Sequence, residues 1–281
     1  MDRIDKRLLN LLQDDASRTN AELADLVGLS PSSCLRRIRR LKDAGIIDRV
    51  VALLSPAKAG RGLKAIVTIE LERHGEQYML WDTGVSGGLV GHPSTNPVMT
   101  LSLRSRIVDQ LARINVRPDQ VAIVGISHHH GDHTGQARDF PGARLLMGAG
   151  DLAALRARPA EAQADLARWL TGGGQVTEVP GDLDVFGDGS VTMLNLPGHT
   201  PGHHGLLIRL ASGPVMLSGD LYHFTEQVAN RGVPPFNTDR AASLASMDRF
   251  DRLARNLHAR VIIQHEPADV ARLPAFPEAA H

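Results

Sequence analysis

The chain has 281 residues, of which 42% are apolar and 22% charged, and its formal charge at neutral pH is zero. Those proportions fit a globular chain and exclude collagen-like or low-complexity architecture; no run reaches the roughly 20 apolar residues that a bilayer-spanning helix needs. The single cysteine, Cys34, excludes an internal disulfide, so any metal must be held by histidine and carboxylate. The N-terminus, Met1-Asp2-Arg3-Ile4-Asp5, is charged where a secretory leader would be apolar, so a cytoplasmic location with no membrane partner is the expectation. Charge is unevenly spread: residues 1–62 carry 12 Lys/Arg against 8 Asp/Glu, leaving 19 against 23 for the remainder. A basic front and a mildly acidic back suit a nucleic-acid module joined to something else, or a solvated basic helix face.

Ile4, Leu8, Leu9, Leu11 and Leu12 fall mainly at helical spacing and predict a first helix ending near Asp14-Asp15. Thr19 or Asn20 can cap a second helix over residues 21–27, which Gly28 ends. Ser30-Pro31 restarts the chain as cap and first helical residue of a third helix that runs through Cys34, Leu35, Ile38 and Leu41 to Gly45. Residues 46–54 are rich in β-formers and predict the strand pair of a wing. The third helix displays Arg36, Arg37, Arg39, Arg40 and Lys42 around an apolar stripe, as a helix lying in a DNA major groove would; Ser32, Ser33, Arg36, Arg37 and Arg40 are the candidate DNA contacts.

Taken together, Asp5-Lys6-Arg7-Leu8-Leu9, Asn20-Ala21-Glu22-Leu23-Ala24, Gly28-Leu29-Ser30-Pro31-Ser32 and residues 37–47 resemble the winged helix-turn-helix of the Lrp/AsnC regulators over residues 1–62. In those regulators a sensing and dimerising α/β domain follows. Lys64 to Leu71 resembles its first strand, but from Tyr78 the pattern changes. The domain expectation is therefore a helix-turn-helix over 1–62, a joint over 63–77 and a second domain over 78–281, with a homodimer as a candidate assembly.

In the second part, four apolar β-type runs each end in a potential metal ligand: residues 121–127 in His128, 191–198 in His199, 215–219 in Asp220 and 260–264 in His265. Strands of one sheet place their exits along one edge, where ligand sites in α/β folds form, so the four exits can converge. The densest exit, His128-His129-His130-Gly131-Asp132-His133, can serve two metals, with His128 and His130 on one side and Asp132 and His133 redirected by the turn at Gly131. Imidazole and carboxylate suit zinc best among common ions, with manganese, iron and cobalt compatible. A histidine-rich loop that binds nothing is the plain alternative.

Residues 77–281 resemble the metallo-β-lactamase superfamily through Asp82-Thr83-Gly84 and His128-x-His130-x-Asp132-His133. The segments 127–137, 197–203 and 218–224 look most like its N-acyl homoserine lactone lactonases. The resemblance implies an α+β protein: a four-layer αββα sandwich preceded by the small helix-turn-helix. It implies two divalent ions: His128, His130 and His199 on the first, Asp132, His133 and His265 on the second, and Asp220 bridging. The implied chemistry is attack on a lactone or related ester by a hydroxide bridging the metals, with Asp132 passing a proton to the leaving oxygen. Tyr222 or His223 would hydrogen-bond the substrate from beside the bridge, or simply pack there. Asp82 could orient a metal-binding histidine or cap its turn. Since little precedes Tyr78 except the regulator-like segment, residues 64–72 are expected to stand in for a first strand, or an edge is left open. Other readings remain: a thioesterase or phosphodiesterase of the same fold, or a DNA-binding regulator whose back half senses a metal or lactone.

Overall fold

The structure is a computed structural model, described for residues 2–14, 18–47, 70–74, 77–95, 100–274, 276 and 278. Its contacts divide the chain into two compact units, Met1–Arg61 and Gly62–His281.

The first unit packs α1 (Arg3–Asp14), α2 (Asn20–Val27) and α3 (Pro31–Asp43) around Leu8, Leu23, Ala24, Cys34 and Ile38. Local chemistry sets the boundaries. Thr19 caps α2 by accepting from Glu22 N while the Glu22 carboxylate accepts from Thr19 N at 2.7 Å, and Gly28 ends the helix at φ 69°. Ser30 caps α3, with Pro31 in its first turn. The wing expected from Ile46 does not start there: the N–H groups of Ile46 and Ile47 close back on Leu41 O at 2.9 and 3.1 Å. Residues 48–54 of that expectation lie outside the described residues.

Two of the arginines expected on DNA are paired with carboxylates of α1 and the residue before it, Arg37 half-buried and Arg40 still exposed. Arg37 donates to Asp2 at 2.6 Å and to Asp5 at 2.8 Å, and Arg40 to Asp5 at 2.7 Å. The Asp5 side chain is only 1% exposed, so α1 uses these cations to satisfy a buried carboxylate. The exposed α3 side chains that make no such pair include Ser32, Arg36 and Arg39. The Asp5 N–H and Arg37 hold the Asp2 carboxyl down to about 2, and the Asp2 N–H and Arg37 hold that of Asp5 below its usual range. Because both folded-state values are depressed, this stabilisation is complete above pH ~4 and disappears as pH falls towards 2. In the full chain, Asp5→Asn should lower the unfolding free energy of the helical unit by about 1–3 kcal/mol at pH 7, the worth of hydrogen bonds to charged groups. The deficit should shrink below pH 4 in denaturant titrations followed by helix content; a pH-independent deficit would contradict the pairing.

The second unit is built from β1 (Glu70–His74), β2 (Gln77–Trp81), the two-residue strands β3 (Ser94–Thr95) and β4 (Thr100–Leu101), α4 (Ile107–Arg113), β5 (Val121–Ile126), α5 (Gly131–Thr134), β6 (Arg144–Gly148), α6 (Ala149–Arg156), α7 (Ala167–Leu170) and β7 (Val176–Val179). Then follow β8 (Leu183–Asp184), β9 (Val191–Asn195), β10 (His204–Leu210), β11 (Gly213–Leu217), α8 (Thr225–Asn230), α9 (Arg240–Leu257), β12 (Arg260–Ile262) and α10 (Pro267–Val270). One sheet has the order β1-β2-β5-β6-β7, parallel from β2 onward, with β1 antiparallel on its edge. The other has the order β12-β11-β10-β9-β8, with only β12 parallel to its neighbour.

Alternation of side chains produces the layers. Met79, Trp81, Ile123, Leu146, Met193, Leu206 and Leu217 meet between the sheets. Their strand neighbours face outward: Leu80, Val124, Leu145 and Met147 pack with Ile107, Leu111 and Leu152 of α4 and α6, while Leu194, Leu207 and Met216 pack with Met247 and Phe250 of α9. Each fully buried side chain of this size contributes about 1.5–3 kcal/mol of burial free energy. The result is an αββα sandwich. β1 spans Glu70–His74 and covers β2; residues 64–69 of the expected first strand lie outside the described residues. No described helix is long and apolar enough to cross a membrane.

Candidate metal centre

Five strands of the two sheets, β2, β5, β9, β11 and β12, end at the same place. Beyond them come Asp82, the 127–133 loop, His199, Asp220 and His265. Two clusters of potential ligands form: His128, His130, His199 and Asp220, and Asp132, His133 and His265, with the offered atoms of each within 4.8 Å of one another. All seven residues expected as ligands are therefore brought together.

In the first cluster His128 Nε2, His130 Nδ1 and His199 Nε2 form a triangle with sides of 2.9, 3.0 and 3.2 Å. Burial, followed by repulsion from neighbouring imidazoles, pushes the His128 pKa well down; burial and His199 bring His130 to about 4, and burial lowers His199. These rings are therefore held neutral. Two of the outer nitrogens are occupied: His199 Nδ1 donates to Asn237 Oδ1 at 3.0 Å, and His128 Nδ1 meets Ser127 Oγ at 3.0 Å. Lone pairs thus converge where a cation would sit, the protonation state a metal ligand requires.

Asp220 stands between the clusters with its two oxygens turned to different sides. Its Oδ2 lies 3.7 Å from His128 Nε2 and 3.5 Å from His199 Nε2; its Oδ1 lies 3.2 Å from His133 Nε2 and 2.9 Å from His265 Nε2. Oδ1 is buried without a hydrogen bond of acceptable geometry. Burial opposes the charge, yet His133, His265 and His128 hold the carboxyl well below its usual range. Burial likewise opposes charge on His133 and His265, and the carboxylates around them outweigh it. A buried anion with an unsatisfied oxygen amid inward-turned nitrogens is an environment that a divalent cation completes.

Supporting contacts orient the ligands. Asp82, at φ 59°, accepts the Ser127 N–H at 2.7 Å and the His133 Nδ1–H at 2.9 Å, so its turn geometry and its orienting role are the same structure. His203 donates to Leu196 O and accepts from Asp220 N, both at 3.0 Å, and its pKa falls to about 3 through burial. The Asp132 side chain is 31% exposed, with Oδ2 3.8 and 3.9 Å from His133 and His265 Nε2.

Tyr222 and His223 separate. Tyr222 is extended, so its side chain and its neighbour's point to opposite faces. The Tyr222 ring packs against Phe250 and its hydroxyl donates to Asp251 at 3.0 Å, away from the centre, which corrects its expected place beside the bridge. His223 points inward: Nε2 lies 3.2 Å from Asp220 Oδ2, and the ring stacks on His265 at 5.8 Å. Sequence reasoning missed Ser127, Asp151, Thr200 and Asn237; Asn237 lies 38 residues from the ring it orients, in a proline-rich loop with no motif.

Comparison with known proteins agrees with this geometry. Residues 62–265 match the family model of the metallo-beta-lactamase superfamily, and residues 1–48 that of a winged helix-turn-helix DNA-binding domain. The N-acyl homoserine lactonase AttM of Rhizobium radiobacter is 29% identical over 187 residues, 61% of this chain and 68% of the relative. The DNA-binding transcriptional activator DecR of Escherichia coli is 42% identical over 78 residues, 28% of this chain and 51% of that protein, so the chain spans about half the length of this regulator. Among solved structures, a quorum-quenching N-acyl homoserine lactone hydrolase superposes with a TM-score of 0.65 at 25% identity, covering 76% of this chain and 85% of that one.

Proposed function

The chain belongs to the metallo-beta-lactamase superfamily, and from that premise we propose that it is a metal-dependent hydrolase opening the ring of N-acyl homoserine lactones or related esters. The observation that carries this reading is the Asp220 carboxylate, whose oxygens face two separate sets of inward-turned ligands. His128, His130 and His199 would hold one divalent ion and Asp132, His133 and His265 the other, with Asp220 shared and zinc the best-suited metal. When bound, such a pair supplies Lewis acidity and a water acidified to near neutrality.

The rest is the work of the chain. Burial keeps the His128, His130 and His199 imidazoles neutral, while Asp82 orients the His133 ring and Asn237 that of His199. Asp132, partly open to solvent, is the carboxylate placed to carry a proton to the departing ring oxygen. His223, 16% exposed, stands where its ring can hydrogen-bond the substrate. Similarity to lactonases supports the ester class, and a carbonyl carbon with an alkoxide leaving group suits this arrangement. The test is metal content and lactone turnover in one preparation, with His130→Ala as control. Two ions per chain and turnover that the substitution abolishes are expected; metal-loaded protein that opens no lactone would reject the substrate class. His223→Ala should keep both ions and lower kcat/KM about tenfold, the worth of one hydrogen bond of roughly 1.4 kcal/mol. Unchanged kinetics would reduce His223 to packing.

The exposed Ser32, Arg36 and Arg39 on α3 favour a second role for the N-terminal unit, contact with DNA phosphates. Its signature is a mobility shift that weakens steeply with salt.

A further inference from the structure

His129, the middle histidine of the metal loop, is used by neither ligand cluster, yet its surroundings are ordered in detail. Its backbone N–H donates to Asp151 Oδ2 at 3.0 Å, and its Nε2 faces the Arg158 guanidinium at 2.6 Å. Arginine can only donate, so the ring proton sits on Nδ1, which lies 3.2 Å from Asp151 Oδ1. Asp151 itself is fully buried in the first turn of α6. The same carboxylate also takes the Thr200 hydroxyl at 2.8 Å on Oδ2 and the Gly202 N–H at 2.8 Å on Oδ1. One side chain therefore grips two loops: 127–133, leaving the first sheet with His128 and His130, and 197–203, leaving the second with His199.

The backbone is arranged to allow it. A Cβ on Gly150 would lie 2.7 Å from the Pro201 carbonyl, and one on Gly202 would strike the Asp151 backbone nitrogen. Only glycine lets the start of α6 press this closely against the 200–202 turn.

We propose that Asp151 is a positioning residue that holds the two ligand-bearing loops in register, and so sets the geometry in which His128, His130 and His199 meet. It touches none of the three rings; it acts through the main chain on either side of them. This inference rests on the two-metal reading of the centre. Burial would raise the Asp151 carboxyl, but the His129 and Gly202 donors outweigh it, so the anion that makes these contacts persists at neutral pH.

The test uses the full chain loaded with Co2+, whose visible spectrum reports ligand geometry without any substrate. Asp151→Asn places an amide N–H against donors, and Thr200→Val removes one of them. Asp151→Asn should alter the Co2+ spectrum, weaken Co2+ in competition with a chelator about tenfold, the low end for an outer partner of a metal ligand, and lower kcat more than it raises KM. Thr200→Val should move each quantity the same way by less, and it decides the matter if Asp151→Asn does not fold. Variants that melt earlier but keep the wild-type Co2+ spectrum and affinity would overturn the proposal, leaving Asp151 a structural staple. Wild-type protein that binds Co2+ normally but opens no lactone would reject the substrate reading alone; wild-type protein that takes up no Co2+ would reject both.

Discussion

Replacing Asp220 by asparagine should leave a protein that cannot retain two ions through dialysis, and whose kcat/KM falls by well over the roughly 100-fold typical of losing an outer partner of a metal ligand. The substitution preserves shape and removes charge. One oxygen becomes an amide nitrogen that donates rather than binds a cation, so either the His128 and His199 side or the His133 and His265 side loses its share of the bridge. The anion that draws protons or metal towards His133 and His265 also disappears. Metal analysis of the dialysed protein alongside lactone kinetics checks this. Two ions per chain with near-native turnover would show that the carboxylate does not bridge.

The second large effect is expected at Asp82, outside the ligand set. Asp82→Asn suits the backbone, since asparagine tolerates the positive φ of 59° at this position. The Ser127 N–H can keep its oxygen acceptor, but the amide nitrogen then faces His133 Nδ1 and favours the tautomer with its proton on Nε2. That proton would occupy the lone pair meant for the second ion. The affinity of the second site should fall by about 100-fold, the upper end for such partners, while the first site stays loaded. Metal titration with two resolved binding steps would reveal it; equal weakening of both steps would instead point to general loosening of the loop.

What could be read from the residues alone follows the range of the interactions involved. Ser30-Pro31 and Thr19-x-x-Glu22 declare helix starts because a cap and its helix are neighbours in the chain. His128-x-His130-x-Asp132-His133 was legible because one turn carries four donors. His199, Asp220 and His265 were legible because each ends an apolar run, and buried strands bring such ends to one edge. Contacts made across the fold were not. Nothing local says that Arg37 turns to Asp5, 32 residues away, rather than outward to DNA. Nor does anything local choose between Tyr222 and His223. The turn after β11, with Gly219 at φ 52°, leads into an extended Tyr222 whose hydroxyl reaches Asp251 of α9, a partner 29 residues away. Asp151 sits in an ordinary helix start, and its role appears only when a loop some fifty residues further along arrives beside it.

The centre also straddles a seam. His128 and His130 leave one sheet while His199, Asp220 and His265 leave the other, so the layers that apolar packing holds face to face are joined again at one end by polar groups. Cations seated there would act as rivets between two plates, and filling the centre and keeping the plates from sliding become a single equilibrium.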